Sequence, residues 1–217
     1  MSEPRRRPGP VPRVVRCFLE LLYTRGSWAY DAVAWIVSFG NWRTWQQAGV
    51  HLMPAGPILE LGHGPGHLLR QRLAAGQPVV GLDRSRQMGR IARRRLRKQG
   101  VATPLVRAEA QALPFAAESF DGVLATFPSE YILDRRTLRE TWRVLRPGTA
   151  LVVVAGVRIV PRGLPGHLLE QLYRVTGETP PAPETWGLPA EAEGLQLRVE
   201  TIATAGADVY RLTATKR

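Results

Sequence analysis

Between residues 57 and 156 short apolar runs alternate with longer stretches of helical periodicity, and this alternation restricts the fold more than any other feature of the chain. The runs Pro57 to Leu61, Val79 to Leu82, Phe120 to Thr126 and Thr149 to Gly156 read as buried strands, being short, apolar and bounded by turn residues. Helical stretches near Gly66 to Ala75, Ser85 to Gln99 and Arg135 to Leu145 separate them. Strands joined in this way lie parallel, with crossover helices on both faces, so the expected class is a three-layer α/β sandwich. Beyond Gly156 the pattern changes to a helix near Leu164 to Val175, the loop TPPAPETWG and two alternating strands, Leu195 to Ala203 and Asp208 to Thr215. Two closing strands fit the edge of the same sheet better than a new domain.

With 217 residues, 44% of them apolar, the chain supports one core-bearing domain. Residues 1–13 are mainly Pro, Arg and Gly and are expected to form a flexible basic tail. From Val14 the apolar positions Val14, Val15, Phe18, Leu21 and Leu22 recur at helical spacing, and a second helix is expected from Tyr30 through Val37. Residues 14–50 thus form an N-terminal helical segment, and Gly49, Pro54, Gly56 and Pro57 punctuate the start of the core, residues 57–217. The lone Cys17 excludes a disulfide framework and a cysteine-rich zinc site, and no metal is expected. No run approaches the roughly 18 to 20 apolar residues of a membrane span. Arg16 and Glu20 break any signal-peptide core, so a cytoplasmic location is expected. The formal charge of +12 invites an anionic partner, although only Lys98 and Lys216 among 30 basic residues are lysines. That arginine skew fits a composition bias as well as a phosphate-binding surface.

The stretch ILELGHGPGHLL, residues 58–69, carries the chemistry. Gly62, Gly64 and Gly66 fall between a strand and a helix, where missing β-carbons allow a tight turn and let a ligand approach the backbone. Their spacing is G-x-G-x-G rather than the dinucleotide G-x-G-x-x-G, and Glu60 precedes them. A carboxylate there suits a cationic ligand group and would oppose a pyrophosphate. The second strand ends on Asp83, 21 residues after Gly62, where an acid in a doubly wound fold reaches ribose hydroxyls. Asp83 read alone is also a good cap for the helix that follows.

ELGHGPG, GLDRSRQM, AEAQALPFAAESFDGVLATFP and LRETWRVLRPGTALVVV resemble, in order, the motifs of class I S-adenosylmethionine-dependent methyltransferases. The nearest likeness is to the branch of ubiquinone and menaquinone biosynthesis methyltransferases and their small-molecule relatives. The resemblance implies a Rossmann-like, mostly parallel seven-stranded sheet with an antiparallel last strand, under an N-terminal helical lid. It implies S-adenosylmethionine as cofactor and S-adenosylhomocysteine as product. On this sequence Glu60, Gly62, Gly64 and Gly66 then line the methionine part, Asp83 takes the ribose and Met88 packs on adenine. Ala110 and Phe127 border the cofactor, and Tyr30, from the pair Tyr30-Asp31, closes over it. Glu109 stands where the family usually has Asp before this alanine, and can make the same bond to the adenine amino group with a longer arm. Arg146 to Thr149 replaces a turn that usually carries two glycines.

Methyl transfer from a sulfonium is an in-line displacement, dominated by positioning, with a base needed only for a protonated nucleophile. The carboxyl end of the fourth strand, TFPSEYI, should border the acceptor, with Glu130 as a candidate base and Tyr131 as a group that orients a hydroxyl or stacks on a ring. Solvated Glu130 and core Tyr131 are the structural alternatives. His63 and His67 are expected to be exposed loop residues. The N/D-P-P-Y motif of many exocyclic-amine methyltransferases is replaced by TFPS, and Cys17 is far from the site in sequence, which argues against base methylation of those two kinds. Trp28, Trp35, Trp42 and Trp45 with Tyr30 can line an apolar pocket or simply pack the N-terminal helices. Three readings stand: methylation of a small lipophilic acceptor such as a quinol-type ring, methylation of RNA, and cofactor binding without catalysis. Arg5, Arg6, Arg7, Arg13 and Arg16, with the arginines that follow Asp83, further suggest peripheral contact with an anionic membrane.

Overall fold

The computed structural model describes residues 40–98, 100, 104–160, 189, 191–204 and 206–217. The basic tail, the two expected helices before residue 40, Tyr30, the helix near Leu164 to Val175 and the proline-rich loop lie outside the described residues. The first described helix is α1, Trp42–Val50. Then come β1 (Ile58–Leu61), α2 (His67–Ala74), β2 (Val79–Leu82), α3 (Arg86–Arg97), the short β3 (Leu105–Val106) and β4 (Phe120–Thr126). A 3-10 turn over Glu130–Leu133 leads into α4 (Arg135–Val144) and the long β5 (Leu145–Ile159). The two-residue β6 (Glu191–Ala192), β7 (Leu195–Thr204) and β8 (Ala207–Lys216) close the fold.

All strands join one sheet in the order β3-β2-β1-β4-β5-β8-β7-β6. The first five are parallel, β8 is antiparallel to β5, and the last two neighbours are again antiparallel. The count is eight where the sequence suggested seven. The extra member, β6, is a two-residue hairpin arm on β7 whose Glu191-Ala192 has too little sequence for a strand signal. β3 is equally short and depends on its pairing of Leu105 and Val106 with Gly81 and Leu82.

The continuous apolar runs follow from burial on both faces. In β5, Leu151 and Val153 pack with Leu59, Leu61, Val123 and Leu138 on one side. On the opposite side Val152 meets Ile58, Leu68, Leu69, Val79 and Leu96. Helix α1 covers the far end of this second side, with Trp45 and Ala48 against Val154, Val157 and Val209. Gly49, read above as punctuation, is instead buried in the last turn of α1, where an added Cβ would lie 2.7 Å from Val154. Its missing side chain lets the helix lie directly on β4 and β5. Arg146 to Thr149 bulges out of register between the pairs Phe120↔Leu145 and Gly122↔Ala150, with Gly148 at φ +77°.

Candidate functional site

In the order β3-β2-β1-β4-β5 the chain direction of growth reverses at β1, and such a switch opens a crevice beyond the carboxyl ends of the strands. A cleft of about 1050 Å³ occupies that place. Gly62 and Gly64 after β1, Leu82 to Ser85 after β2, Ala108 to Gln111 after β3, Thr126 to Ser129 after β4 and Ala155 to Val157 of β5 line it. Met88, Tyr131, Trp42 and Trp45 complete the wall.

The glycine loop is built around the end of β2. Gly62 and His63 donate their backbone N–H groups to the carbonyl of Leu82, at 2.7 and 3.2 Å. Gly64 donates to Asp83 Oδ2 at 2.9 Å. The second oxygen, Oδ1, accepts from Ser85 N at 2.7 Å. Asp83 is therefore not the cap of α3; Ser85 is, accepting from Met88 N at 3.3 Å. Asp83 staples the glycine loop to the strand end, and each of its oxygens keeps a lone pair for a further donor.

The three glycines serve different ends, all at positive φ. A Cβ on Gly62 would stand 2.9 Å from Tyr131 Oη, and one on Gly66 would stand 2.9 Å from Ala92 Cβ, where α2 begins against α3. Gly64 has nothing within 4 Å of such an atom and lines the cleft directly.

Beneath the loop lies an unusual set of buried polar groups. Glu60 is 2% exposed, and its Oε2 has no hydrogen-bond partner. Burial, with the nearby charge of Asp83, pushes its carboxyl up to about 8, against the pull of Arg72. Arg72, buried in α2, donates to the carbonyls of Pro54 and Gly56 at 2.7 and 3.4 Å. His63 is buried as well, correcting the exposed position expected for it; its Nδ1–H donates to Gly64 O at 2.7 Å, and burial holds its imidazole below the ordinary value. The phenol of Tyr131 is pushed well above its usual range by burial and by the charges of Asp83 and Glu60, so at neutral pH it is an O–H donor.

The remaining candidates divide. Met88 is buried beneath the cleft, Ala110 is buried on its rim, and Glu109 lies on the wall, largely exposed, with Arg84 3.9 Å away. Glu130 is exposed at the start of the 3-10 turn and does not line the cleft. Phe127 follows β4 directly with φ +49°, its N–H held by Val154 O at 2.7 Å and its ring centroid 4.2 Å from that of Trp42. Its neighbour Thr126 accepts from Gln46 of α1 at 3.2 Å. The sequence reading missed the backbone strain at Phe127 and the buried state of His63. Neither has a local signal, since both arise from contacts between distant strands.

Residues 58–148 match the family described as Methyltransferase domain. Over 132 residues the chain is 38% identical to a demethylmenaquinone methyltransferase of Thermus thermophilus, covering 58% of this chain and 60% of that protein. Over 140 residues it is 36% identical to a ubiquinone/menaquinone biosynthesis C-methyltransferase of Syntrophotalea carbinolica, covering 61% and 59%. The chain thus spans about three-fifths of the length of these curated relatives. Among solved structures, an S-adenosylmethionine-dependent methyltransferase of Thermotoga maritima, described as a possible histamine N-methyltransferase, superposes with a TM-score of 0.60 at 22% identity, over 91% of this chain and 99% of that one. A geranyl diphosphate methyltransferase, solved with geranyl diphosphate and sinefungin, gives 0.56 at 16% identity, over 81% and 78%. Residues 58–148 thus carry the match to the methyltransferase-domain model, and the chain around them shares the fold of the Thermotoga maritima structure.

Proposed function

We propose that the protein transfers a methyl group from S-adenosylmethionine to a small lipophilic acceptor such as a quinol-type ring. The observation that carries this reading is the meeting, at one strand-end cleft, of an exposed glycine backbone and the Asp83 carboxylate, with the buried carboxyl of Glu60 and its unpartnered oxygen beneath the loop. A nucleoside with a cationic amino-acid tail matches that set: hydroxyls for Asp83, an ammonium for the side of the loop that lies above Glu60, and close approach at Gly62 and Gly64. Met88 and Ala110 supply the apolar bed for adenine and Glu109 its hydrogen-bond acceptor. Tyr30 is assigned to the lid on the resemblance alone.

The cofactor supplies an electrophilic methyl on a sulfonium centre. The chain's contribution is to fix both reactants in line and keep water out. Tyr131, neutral and half-buried beside Gly62, can donate a hydrogen bond on the border between the two halves of the cleft and so orient a polar atom there. Glu130 stays the candidate base only if its turn moves inward. Trp42, Trp45 and Phe127 form the apolar wall for the acceptor. The relatives named for quinone biosynthesis support a lipophilic ring as that acceptor.

Isothermal titration with S-adenosylhomocysteine tests the cofactor, and wild-type protein that does not bind at high micromolar ligand ends the proposal. Incubation with methyl-labelled cofactor and separate lipid, small-molecule and RNA fractions tests the acceptor; label in RNA would replace the quinol-type reading. Among the described residues no helix is long and apolar enough to cross a membrane. Peripheral contact through the N-terminal arginines remains part of this proposal, tested by sedimentation with anionic and zwitterionic vesicles with and without residues 1–13. Equal pelleting with both vesicle types would remove the tail as an anchor.

A further inference from the structure

A second pocket, of about 280 Å³, shares Asp83 and Ser85 with the main cleft but opens between α3 and the segment after β3. We propose that it binds a terminal phosphate or diphosphate group. Arg86, Arg90 and Arg93 reach it from one face of α3, at the i, i+4, i+7 spacing that aligns side chains along a helix, and Arg107 faces them.

None of these four guanidiniums has an acidic partner among the described residues. The one carboxylate on the pocket wall, Asp83, has its two oxygens held by the backbone N–H groups of Gly64 and Ser85. Arg107 is anchored by Nε on the carbonyl of Arg84 at 3.1 Å, which leaves its terminal nitrogens to the pocket. Four convergent cations against one engaged anion form a field that a phosphate relieves, and guanidinium forks match its oxygens.

Gly89 gives an independent indication. It lies inside α3, where glycine costs about 1 kcal/mol against alanine, yet a Cβ there would meet nothing within 4 Å. No packing contact explains it; it lines the pocket, and its bare backbone keeps the space open. The size favours a small group, since drug-sized ligand pockets run from roughly 300 to 1,000 Å³. A nucleic-acid backbone would need an extended basic track. The inference does not depend on methyl transfer, because its readout is binding at a different pocket.

The test is titration of the full chain with pyrophosphate at physiological salt, using wild type, Gly89→Leu, the triple variant Arg86→Gln/Arg90→Gln/Arg93→Gln, and a charge-matched control, Arg94→Gln/Arg97→Gln/Arg136→Gln. Affinity should fall roughly tenfold or more in the first two variants and stay near wild type in the control. Gly89→Leu raises helix propensity and leaves charge unchanged, so its loss of binding cannot be assigned to unfolding or net charge. A parallel arm pellets the protein with phosphatidylcholine vesicles containing phosphatidic acid. Pelleting that Gly89→Leu abolishes identifies the group as a lipid headgroup; pyrophosphate binding without such pelleting identifies a soluble phosphate. The proposal is overturned by no pyrophosphate binding to wild type, by equal loss in the control, by unchanged binding in Gly89→Leu, or by RNA binding that pyrophosphate does not displace.

Discussion

Around Asp83 the cleft is walled by backbone amides and carboxylates, whereas from Phe127 to Val157 and across to α1 it is walled by rings and branched apolar side chains. The first half is assembled by two strand-end loops lying side by side: Gly62, His63 and Gly64 fold over Leu82 and Asp83 through three bonds from their backbone N–H groups, and Ser85 N–H adds a fourth to Asp83. The second needs α1, β4 and β5 to meet, with Trp42 on Phe127 and Gln46 on Thr126. A polar half held by short loops suits one invariant ligand, while an aromatic half held by side-chain packing can change its ligand without disturbing the first.

Glu60 gives the largest expected effect and tests how far the polar half is strained. Its carboxyl is raised in the folded protein to about 8 from an ordinary 4.5, so between those values the folded state keeps a proton that the unfolded chain has lost. Stability must fall as pH rises through that window and level off above it. The cost is on the order of 5 kcal/mol at most. Urea denaturation at pH 5 and pH 8 should show wild type losing stability relative to Glu60→Gln; parallel behaviour of the two would contradict the buried, uncompensated carboxyl. If a cationic group binds beside it, S-adenosylhomocysteine should release protons near pH 7, read as a dependence of the binding heat on buffer ionisation.

Asp83→Ala removes the acceptor of two backbone N–H groups as well as the carboxylate in the cleft. Affinity for S-adenosylhomocysteine should drop by about 2 to 3 kcal/mol, and stability should fall too because the glycine loop loses its staple. Unchanged affinity would detach Asp83 from the site. Next in size, Gly62→Ala forces a β-carbon into a positive-φ position and towards Tyr131 Oη, at about 1 to 2 kcal/mol for the backbone alone. Tyr131→Phe in the same chain should recover part of the further loss, and a double-mutant cycle with no coupling would deny that contact.

The smallest expected effect sharpens the contrast most. Trp42→Ala should leave S-adenosylhomocysteine affinity within about 0.5 kcal/mol of wild type, since distant independent sites add, while transfer of label to a lipophilic acceptor falls. A loss of cofactor affinity equal to that of Asp83→Ala would show that the two halves act as one.

The parallel sheet, the glycine loop and Asp83 were legible because their signals are local. Four buried strands must be apolar, and a strand-to-helix turn that brings backbone against a ligand must lack side chains. Helix ends were legible to within a few residues for the same reason, since Ser85 and Asp134 cap α3 and α4 from adjacent positions. The resemblance added the cofactor, which periodicity alone does not specify. Short strands were not legible: β3 and β6 have two residues each and persist through their neighbours' hydrogen bonds.

Sequence by itself therefore determined the class of fold and the side of the sheet that takes a ligand, because burial on two faces and tight turns restrict residue type position by position. Tertiary structure decided the charge state and direction of the groups found there. It turned Asp83 from a helix cap into a loop staple, buried His63 and Glu60, brought Tyr131 Oη over Gly62, and gathered Arg107 with the arginines of α3 around a pocket. These outcomes depend on distances between chain segments far apart in sequence, and desolvation and Coulomb energies follow those distances rather than the order of residues.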